Sequence, residues 1–221
     1  NTNKDGAGFM YAYDNAVFIE KGFMTLEEFN SALAVVKQKV KDDDVDIKDV
    51  PMVLHFRITT HGGTSRANTH PFPITNNEAF LRALDVKATI GVAHNGIIST
   101  MPTEKELSDT QVFIREVLYP LSAIGTEFVD KFETLISTAI GYSKLAFLYK
   151  TGKIVMLGDF KETVDKDGLS YSNLNFIKYN YSPAKYNPKY NDYDDDDYKY
   201  KAIKYSYFEK DIYGDEMVVG G

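Results

Sequence analysis

The chain contains no cysteine among its 221 residues. This excludes disulfide bonds, thiolate metal sites and a thiol nucleophile within the given sequence. A chain without cysteine is compatible with the cytosol, and we predict a cytoplasmic location. No apolar stretch approaches the length of a membrane span, and no signal-peptide pattern is present, so we predict no membrane association.

Basic residues are outnumbered, with 25 Lys and Arg against 32 Asp and Glu and a net charge of -7. Phosphate binding requires clustered Lys and Arg, so we predict that nucleic acid is not a partner. The 4 histidines are scattered along the chain, and no Glu-rich helical pair accompanies them. We therefore predict neither a metal site nor another cofactor.

Hydrophobic residues make up 43% of the chain, and their spacing predicts the first elements. Asp14-Asn15 is a hairpin signal between two apolar runs, 8–13 and 16–21. Thr25 is followed three residues later by Glu28, which is a helix-start signature, and apolar residues at helical spacing come next. A strand hairpin followed by an amphipathic helix is thus expected at the start of the chain.

The middle of the chain alternates between buried strands and helices. Continuous apolar runs at 51–58 and 89–94 are typical of buried strands. Segments 110–122 and 126–140 carry helical apolar spacing, and 144–157 reads as a hairpin about Thr151-Gly152. Strands, then helices, then further strands predict an α+β fold with mainly antiparallel sheets.

Composition changes near residue 179, where Tyr, Lys, Asp and Asn become dominant. We therefore predict a folded domain over 1–178 and a C-terminal extension over 179–221. Acidic runs such as Asp194-Asp195-Asp196-Asp197 are more often solvated tails than metal sites. The regularly placed tyrosines leave an irregular edge extension of the fold as the alternative.

Arg57 stands where the apolar run 51–58 gives way to Thr59-Thr60-His61-Gly62. A guanidinium at the end of a strand can hold a carboxylate through two parallel hydrogen bonds. Spacing alone favours a structural arginine paired with a nearby acid. His55 lies in the centre of the same run, and we interpret it as a core histidine rather than a ligand.

Two further motifs follow the second buried strand and precede a helix. In His94-Asn95-Gly96, Asn offers an amide donor and Gly allows close approach of a backbone N–H, although Asn-Gly is also a common turn. Ser108-Asp109-Thr110 has the residue types preferred at a helix N-cap. A residue at a helix start can both cap the helix and present a carboxylate to a ligand.

Together with Asn3-Lys4-Asp5-Gly6-Ala7-Gly8, these motifs resemble the class II glutamine amidotransferases. The resemblance covers about residues 3–176 and implies the four-layer αββα sandwich of N-terminal-nucleophile hydrolases. It implies that Asn95 and Gly96 form the oxyanion hole. It further implies that the substrate-binding residues contacting glutamine are Arg57, Thr60, His61 and Asp109.

Two other motifs bear on the same resemblance. Ile58 follows Arg57 where the family often has Trp, which changes the wall of the pocket. Asn68-Thr69-His70-Pro71-Phe72 is close to the family's Asn-x-His-Pro pattern, and we interpret His70 as a residue that fixes a loop.

The family nucleophile is an N-terminal cysteine, which this sequence does not contain. The chain begins at Asn1 without an initiator Met, so we expect a segment carrying Met-Cys-Gly, or its relic, upstream. One hypothesis is a glutaminase or amidotransferase that passes ammonia to a separate synthase partner. The alternative is a catalytically inactive binding or assembly protein that keeps the fold and the glutamine pocket.

Overall fold

The structure is a computed structural model that describes residues 5–57, 65–102, 104–162, 169–173 and 216–220. Its first two strands, β1 (Ala7–Tyr13) and β2 (Ala16–Phe23), form the predicted antiparallel hairpin. Asp14 and Asn15 at the turn both have positive φ, 48° and 53°, which is the backbone conformation of a type I′ hairpin turn.

Helix α1 (Leu26–Asp42) begins where the sequence predicts it. The Thr25 hydroxyl accepts a hydrogen bond from the Glu28 N–H at 3.1 Å, and the Glu28 carboxylate accepts one from the Met24 N–H at 2.7 Å. These bonds give partners to the Glu28 N–H, which the first helical turn leaves without one, and to the Met24 N–H just before the helix. The helix buries Phe29, Val36 and Val40.

The other elements follow in chain order and alternate between short strands and helices. The strands are β3 (Met52–Phe56), β4 (Phe72–Pro73), β5 (Asp85–Ala88), β6 (Ile90–Asn95), β7 (Lys144–Tyr149), β8 (Ile154–Leu157), β9 (Lys161–Glu162), β10 (Ser170–Tyr171) and β11 (Glu216–Gly220). The helices are α2 (Glu78–Arg82), α3 (Asp109–Phe113), α4 (Tyr119–Ser122), α5 (Phe128–Lys131) and α6 (Glu133–Ile140).

The helices predicted at 110–122 and 126–140 are present but irregular. A π-helical turn, Ile114–Leu118, joins α3 to α4. Pro120 follows this turn and has no N–H to donate to a carbonyl four residues earlier, which interrupts the α-helical ladder there. The second segment is divided into α5 and α6 at Phe132.

The strands form two sheets. The first has the order β5-β2-β1-β3-β11-β10-β9, and the second has the order β4-β6-β7-β8. Neighbouring strands are antiparallel in both sheets. The predicted α+β fold with mainly antiparallel sheets is therefore confirmed.

Three apolar clusters show how these elements pack. One joins α1 to the first sheet through residues such as Phe9 and Phe29. Another lies between the sheets and includes Met10, Ala93 and Leu148. The third packs helices α3 to α6 against the second sheet. Each sheet thus has one face toward the other sheet and one face toward helices.

Strand β11 comes from the segment that we interpret as a C-terminal extension. The proposed division between 178 and 179 lies outside the described residues. Residues 216–220, however, pair with β3 on one side and with β10 on the other. Val219 is buried in the cluster between the sheets, so this part of the extension belongs to the core of the fold.

No helix in the described ranges has both the length and the apolarity needed to cross a bilayer.

Candidate functional site

The ends of β3 and β6 are joined by a hydrogen bond between the two sheets. His55 is fully buried near the end of β3, and its Nε2–H donates to the backbone carbonyl of His94 at 3.0 Å. The carbonyl can only accept, so His55 is the tautomer that carries its proton on Nε2. The bond places the end of β3, which Arg57 directly follows, beside His94 near the end of β6. His55 is also a core histidine, as predicted.

A second set of hydrogen bonds joins the end of β6 to the start of α3. Nδ1 of His94 lies 2.7 Å from Oγ1 of Thr110, and the Ile98 N–H donates to Oδ2 of Asp109 at 2.7 Å. The three motif segments predicted from sequence therefore meet at one end of the two stacked sheets.

His70 adds a fourth segment to this junction. Its Nε2 lies 3.2 Å from the Thr110 hydroxyl oxygen, and its ring centroid is 4.5 Å from that of His55. The carbonyl of His70 lies so close to β1 that a Cβ atom at Gly8 would come within 2.2 Å of it. Glycine is required at this position because the close approach leaves no room for a side chain.

Burial determines the charge of these histidines. It lowers the pKa of His55 to about 3, with Arg57 nearby adding to the effect and the hydrogen bond to His94 opposing it. Burial also lowers the pKa of His70 well below its usual value, assisted by His55, His94, Arg57 and Lys21. Both rings are therefore neutral near pH 7, where they act as hydrogen-bonding groups.

Arg57 follows β3 directly, and its backbone N–H donates to the Gly6 carbonyl at 2.9 Å. Its side chain is half-buried, and Nη1 has no hydrogen-bond partner among the described residues. A buried guanidinium N–H without an acceptor is costly, so this position is suited to an anionic group brought by a ligand.

Asn95 and Gly96 lie at the C-terminal end of β6. The Asn95 side chain is half-buried, and its Nδ2 donates to the Ser172 hydroxyl at 2.7 Å. Gly96 is exposed and has φ of 135°, and a Cβ atom there would lie 2.3 Å from the Ser143 hydroxyl oxygen. Both the backbone angle and the close contact exclude larger residues at this position.

Asp109 occupies the first turn of α3. Ser108 is the N-cap, as the residue types predict, and its side chain and that of Gln111 form a capping box. The Asp109 carboxylate accepts from the N–H groups of Ile98 and Thr110, at 2.7 Å each. The residue is half-buried.

A buried lysine supports the loop that carries His70. The Lys21 ammonium donates to the carbonyls of Leu81 at 2.8 Å and Ala67 at 3.0 Å. The Gln111 amide donates to the same two carbonyls, at 3.0 Å and 3.4 Å respectively. Burial lowers the pKa of Lys21 well below its usual value, and the charge of Arg82 adds to this. These bonds join β2, α2 and α3 behind the site.

Some of the predicted residues fall outside the part of the chain that the structure describes. These are Thr60, His61 and Asn3. Sequence reasoning missed the junction made by His94 and Thr110, and it missed Ser172. A polar residue inside an apolar strand signals that a buried partner is needed, but it does not identify that partner.

An open groove of about 450 Å³ includes Gly96 in its lining. Its lining is uncharged and includes the exposed side chains of Ile97 and Tyr142, together with Ser99 and Thr100. Within the described ranges, no three or more His, Cys, Asp or Glu residues are arranged to hold a metal ion.

No protein-family model matches this chain, and no curated protein matches its sequence.

Proposed function

We propose that this protein has the glutamine site of a class II glutamine amidotransferase, within a four-layer αββα sandwich of the N-terminal-nucleophile hydrolase type. The observation that carries the proposal is the junction of three separated motifs. The bonds from His55 to His94 and from His94 to Thr110 bring the Arg57, Asn95 and Asp109 segments to one end of the sheets. The fold assignment is supported by the layers, in which two sheets pack against each other and helices cover the outer face of each sheet.

Arg57 is proposed to bind the α-carboxylate of glutamine. Its Nη1 has no acceptor among the described residues, and a carboxylate supplies two acceptor oxygens in the geometry that a guanidinium prefers. Thr60 and His61 are proposed to line the same pocket, on the strength of the sequence motif alone.

Asp109 is proposed to bind the α-amino group. A carboxylate has about four acceptor positions, so it can receive an ammonium in addition to the N–H groups of Ile98 and Thr110. The two backbone bonds hold the carboxylate in a fixed direction before glutamine arrives, which lowers the entropic cost of binding.

Asn95 and Gly96 are proposed to stabilise the oxyanion. In the reaction, a cysteine thiolate attacks the side-chain amide carbon of glutamine, and the carbonyl oxygen becomes negatively charged. Donors from the Asn95 amide and the Gly96 backbone are suited to that charge. The free α-amino group of the cysteine takes the thiol proton and passes it to the departing ammonia. Water then hydrolyses the thioester to glutamate.

The given sequence contains no cysteine, so the nucleophile of this reaction must come from a segment that is not in the sequence. Ammonia is proposed to pass to a separate synthase. The catalytically inactive alternative keeps the glutamine pocket and binds an assembly partner instead. The two proposals share the glutamine site and differ only in turnover.

Release of glutamate and ammonia by the protein with its native N-terminus tests the enzyme proposal. Turnover supports it, whereas glutamine binding without turnover supports the inactive alternative. Arg57→Ala should abolish glutamine binding under either proposal. Unchanged affinity in that variant would refute the assignment of the pocket.

A further inference from the structure

A hydrogen bond between the two sheets holds the side chain of Asn95. Nδ2 of Asn95 at the end of β6 donates to the hydroxyl of Ser172, which directly follows β10, at 2.7 Å. Ser172 is fully buried. It lies 77 residues from Asn95 in the sequence. The bond is therefore a product of the tertiary fold.

Lys144 holds the same serine from the other side of the β6–β7 ladder. It is the residue directly opposite Asn95 in the antiparallel register. Its ammonium donates to the backbone carbonyl of Ser172. Two adjacent side chains on paired strands thus bind one residue, Asn95 at its hydroxyl and Lys144 at its carbonyl.

We propose that Ser172 is a positioning residue that sets the direction of the Asn95 amide, and that Lys144 keeps Ser172 in place. An amide nitrogen carries two N–H groups in one plane, so an acceptor on one fixes the direction of the other. An oxyanion donor is effective only when its direction is set before the charge develops. The role in turnover rests on the proposed function, whereas the control of the amide direction does not.

Kinetics of the protein with its native N-terminus test the role in turnover. Ser172→Ala should lower kcat for glutamine hydrolysis by about tenfold, because a loosely held donor stabilises the oxyanion less well. KM should change by less than about twofold, since Arg57 and Asp109 provide ground-state binding. Lys144→Met should lower kcat in the same direction. Ser170→Ala makes the same chemical change two residues away and should leave both constants unchanged.

A double-mutant cycle separates positioning from a general effect on folding. In an Asn95→Ala background, Ser172→Ala should have no further effect on kcat, because the amide that it positions is gone. A full additional loss in that background would overturn the proposal. So would an unchanged kcat in the single variant of an active enzyme.

Nuclear magnetic resonance on the 221-residue chain tests the positioning without any activity. The Asn95 side-chain amide signals, identified by their loss in Asn95→Ala, should shift and exchange faster with solvent in Ser172→Ala. They should not change in Ser170→Ala. Unmoved signals in Ser172→Ala would overturn the proposal. A shift in Ser172→Ala, together with no turnover by the unsubstituted protein with its native N-terminus, would refute the enzyme proposal and leave the positioning supported.

Discussion

At the scale of single residues, three polar side chains hold the site together from inside the core. His55 joins β3 to β6, and His94 and Thr110 join β6 to α3. All three are buried, so each hydrogen bond forms where water does not compete for the donor or acceptor. Losing one partner would leave a buried polar group unsatisfied, which costs about 1–3 kcal/mol.

Sequence patterns predicted some of these residue roles and could not predict others. His55 in an apolar run indicated a core histidine, and Ser108 indicated a helix N-cap. No sequence pattern indicated the hydrogen bond from Asn95 to Ser172, because this bond depends on how the two sheets stack rather than on local residue spacing. Contacts of this kind are set by tertiary packing, and a single sequence does not report them.

Gly96→Ala is expected to destabilise the protein through two separable effects. An alanine at φ of 135° costs about 1–3 kcal/mol in backbone strain, and its Cβ, 2.3 Å from the Ser143 hydroxyl oxygen, adds about 1–3 kcal/mol of overpacking. Urea unfolding measures the sum.

Gly125→Ala is the matched control for Gly96→Ala. Gly125 has a φ of 146°, but nothing lies within 4 Å of a Cβ atom built there. The unfolding free energy of this variant should therefore decrease only by the cost of backbone strain. Equal losses in the two variants would contradict the close contact between Gly96 and Ser143.

At the scale of elements, long segments were easier to predict than short ones. The β1–β2 hairpin and α1 carry turn, capping and periodicity signals over many residues, and both are confirmed. Strands β4, β9 and β10 have only two residues each, which is too short for a period to be recognised. Strand β11 lies in a segment whose composition indicated a solvated tail.

Val219→Ala tests whether β11 belongs to the core. Val219 is 3% exposed and packs between the sheets with Val53 and Ala93. Removing its two methyl groups should lower the free energy of unfolding by about 1–3 kcal/mol. The measurement is the decrease in the urea concentration at the unfolding midpoint, with the denaturant dependence (m value) unchanged.

Val35→Ala provides the comparison for Val219→Ala. Val35 lies on α1 with 69% of its surface exposed, so its truncation should change stability by less than about 0.5 kcal/mol. If the two substitutions had equally small effects, β11 would not be packed in the sheet as described.

At the scale of the whole molecule, the stacking of the sheets explains both the site and its sensitivity to acid. The clusters between the sheets and under the helices fix the relative positions of β3 and β6. His55 and His70 are enclosed where these strands end, and burial lowers the pKa of each ring. Protonation of these two rings on acidification is therefore expected to act at the end of the sheets where the proposed site lies.

Stability is expected to fall as pH decreases below about 6.5, the ordinary pKa of histidine. The pKa of His55 is about 3 in the folded state, which is below its value in the unfolded state. Its contribution to stability is therefore fully present above pH 6.5 and is lost on acidification. Between these limits the unfolded state binds one more proton, which gives a slope of about 1.4 kcal/mol per pH unit. His70 adds a slope of the same sign.

Urea unfolding of His55→Gln as a function of pH isolates this contribution. The glutamine amide can still donate to the His94 carbonyl but does not titrate. Below pH 6.5, the slope of the unfolding free energy against pH should decrease by about 1.4 kcal/mol per pH unit, which is the contribution of one proton. A slope identical to that of the unsubstituted chain would contradict a buried neutral His55.

The most direct test of one glutamine site is a titration of the ¹⁵N-labelled chain with L-glutamine, followed by nuclear magnetic resonance. The backbone N–H signals of Arg57, Gly96 and Thr110 should shift together with a single Kd. None of the three positions should shift in Arg57→Met, or when butyramide, which lacks both α groups, replaces glutamine. Absence of any shift at millimolar glutamine, or a shift confined to one of the three segments, would contradict the account.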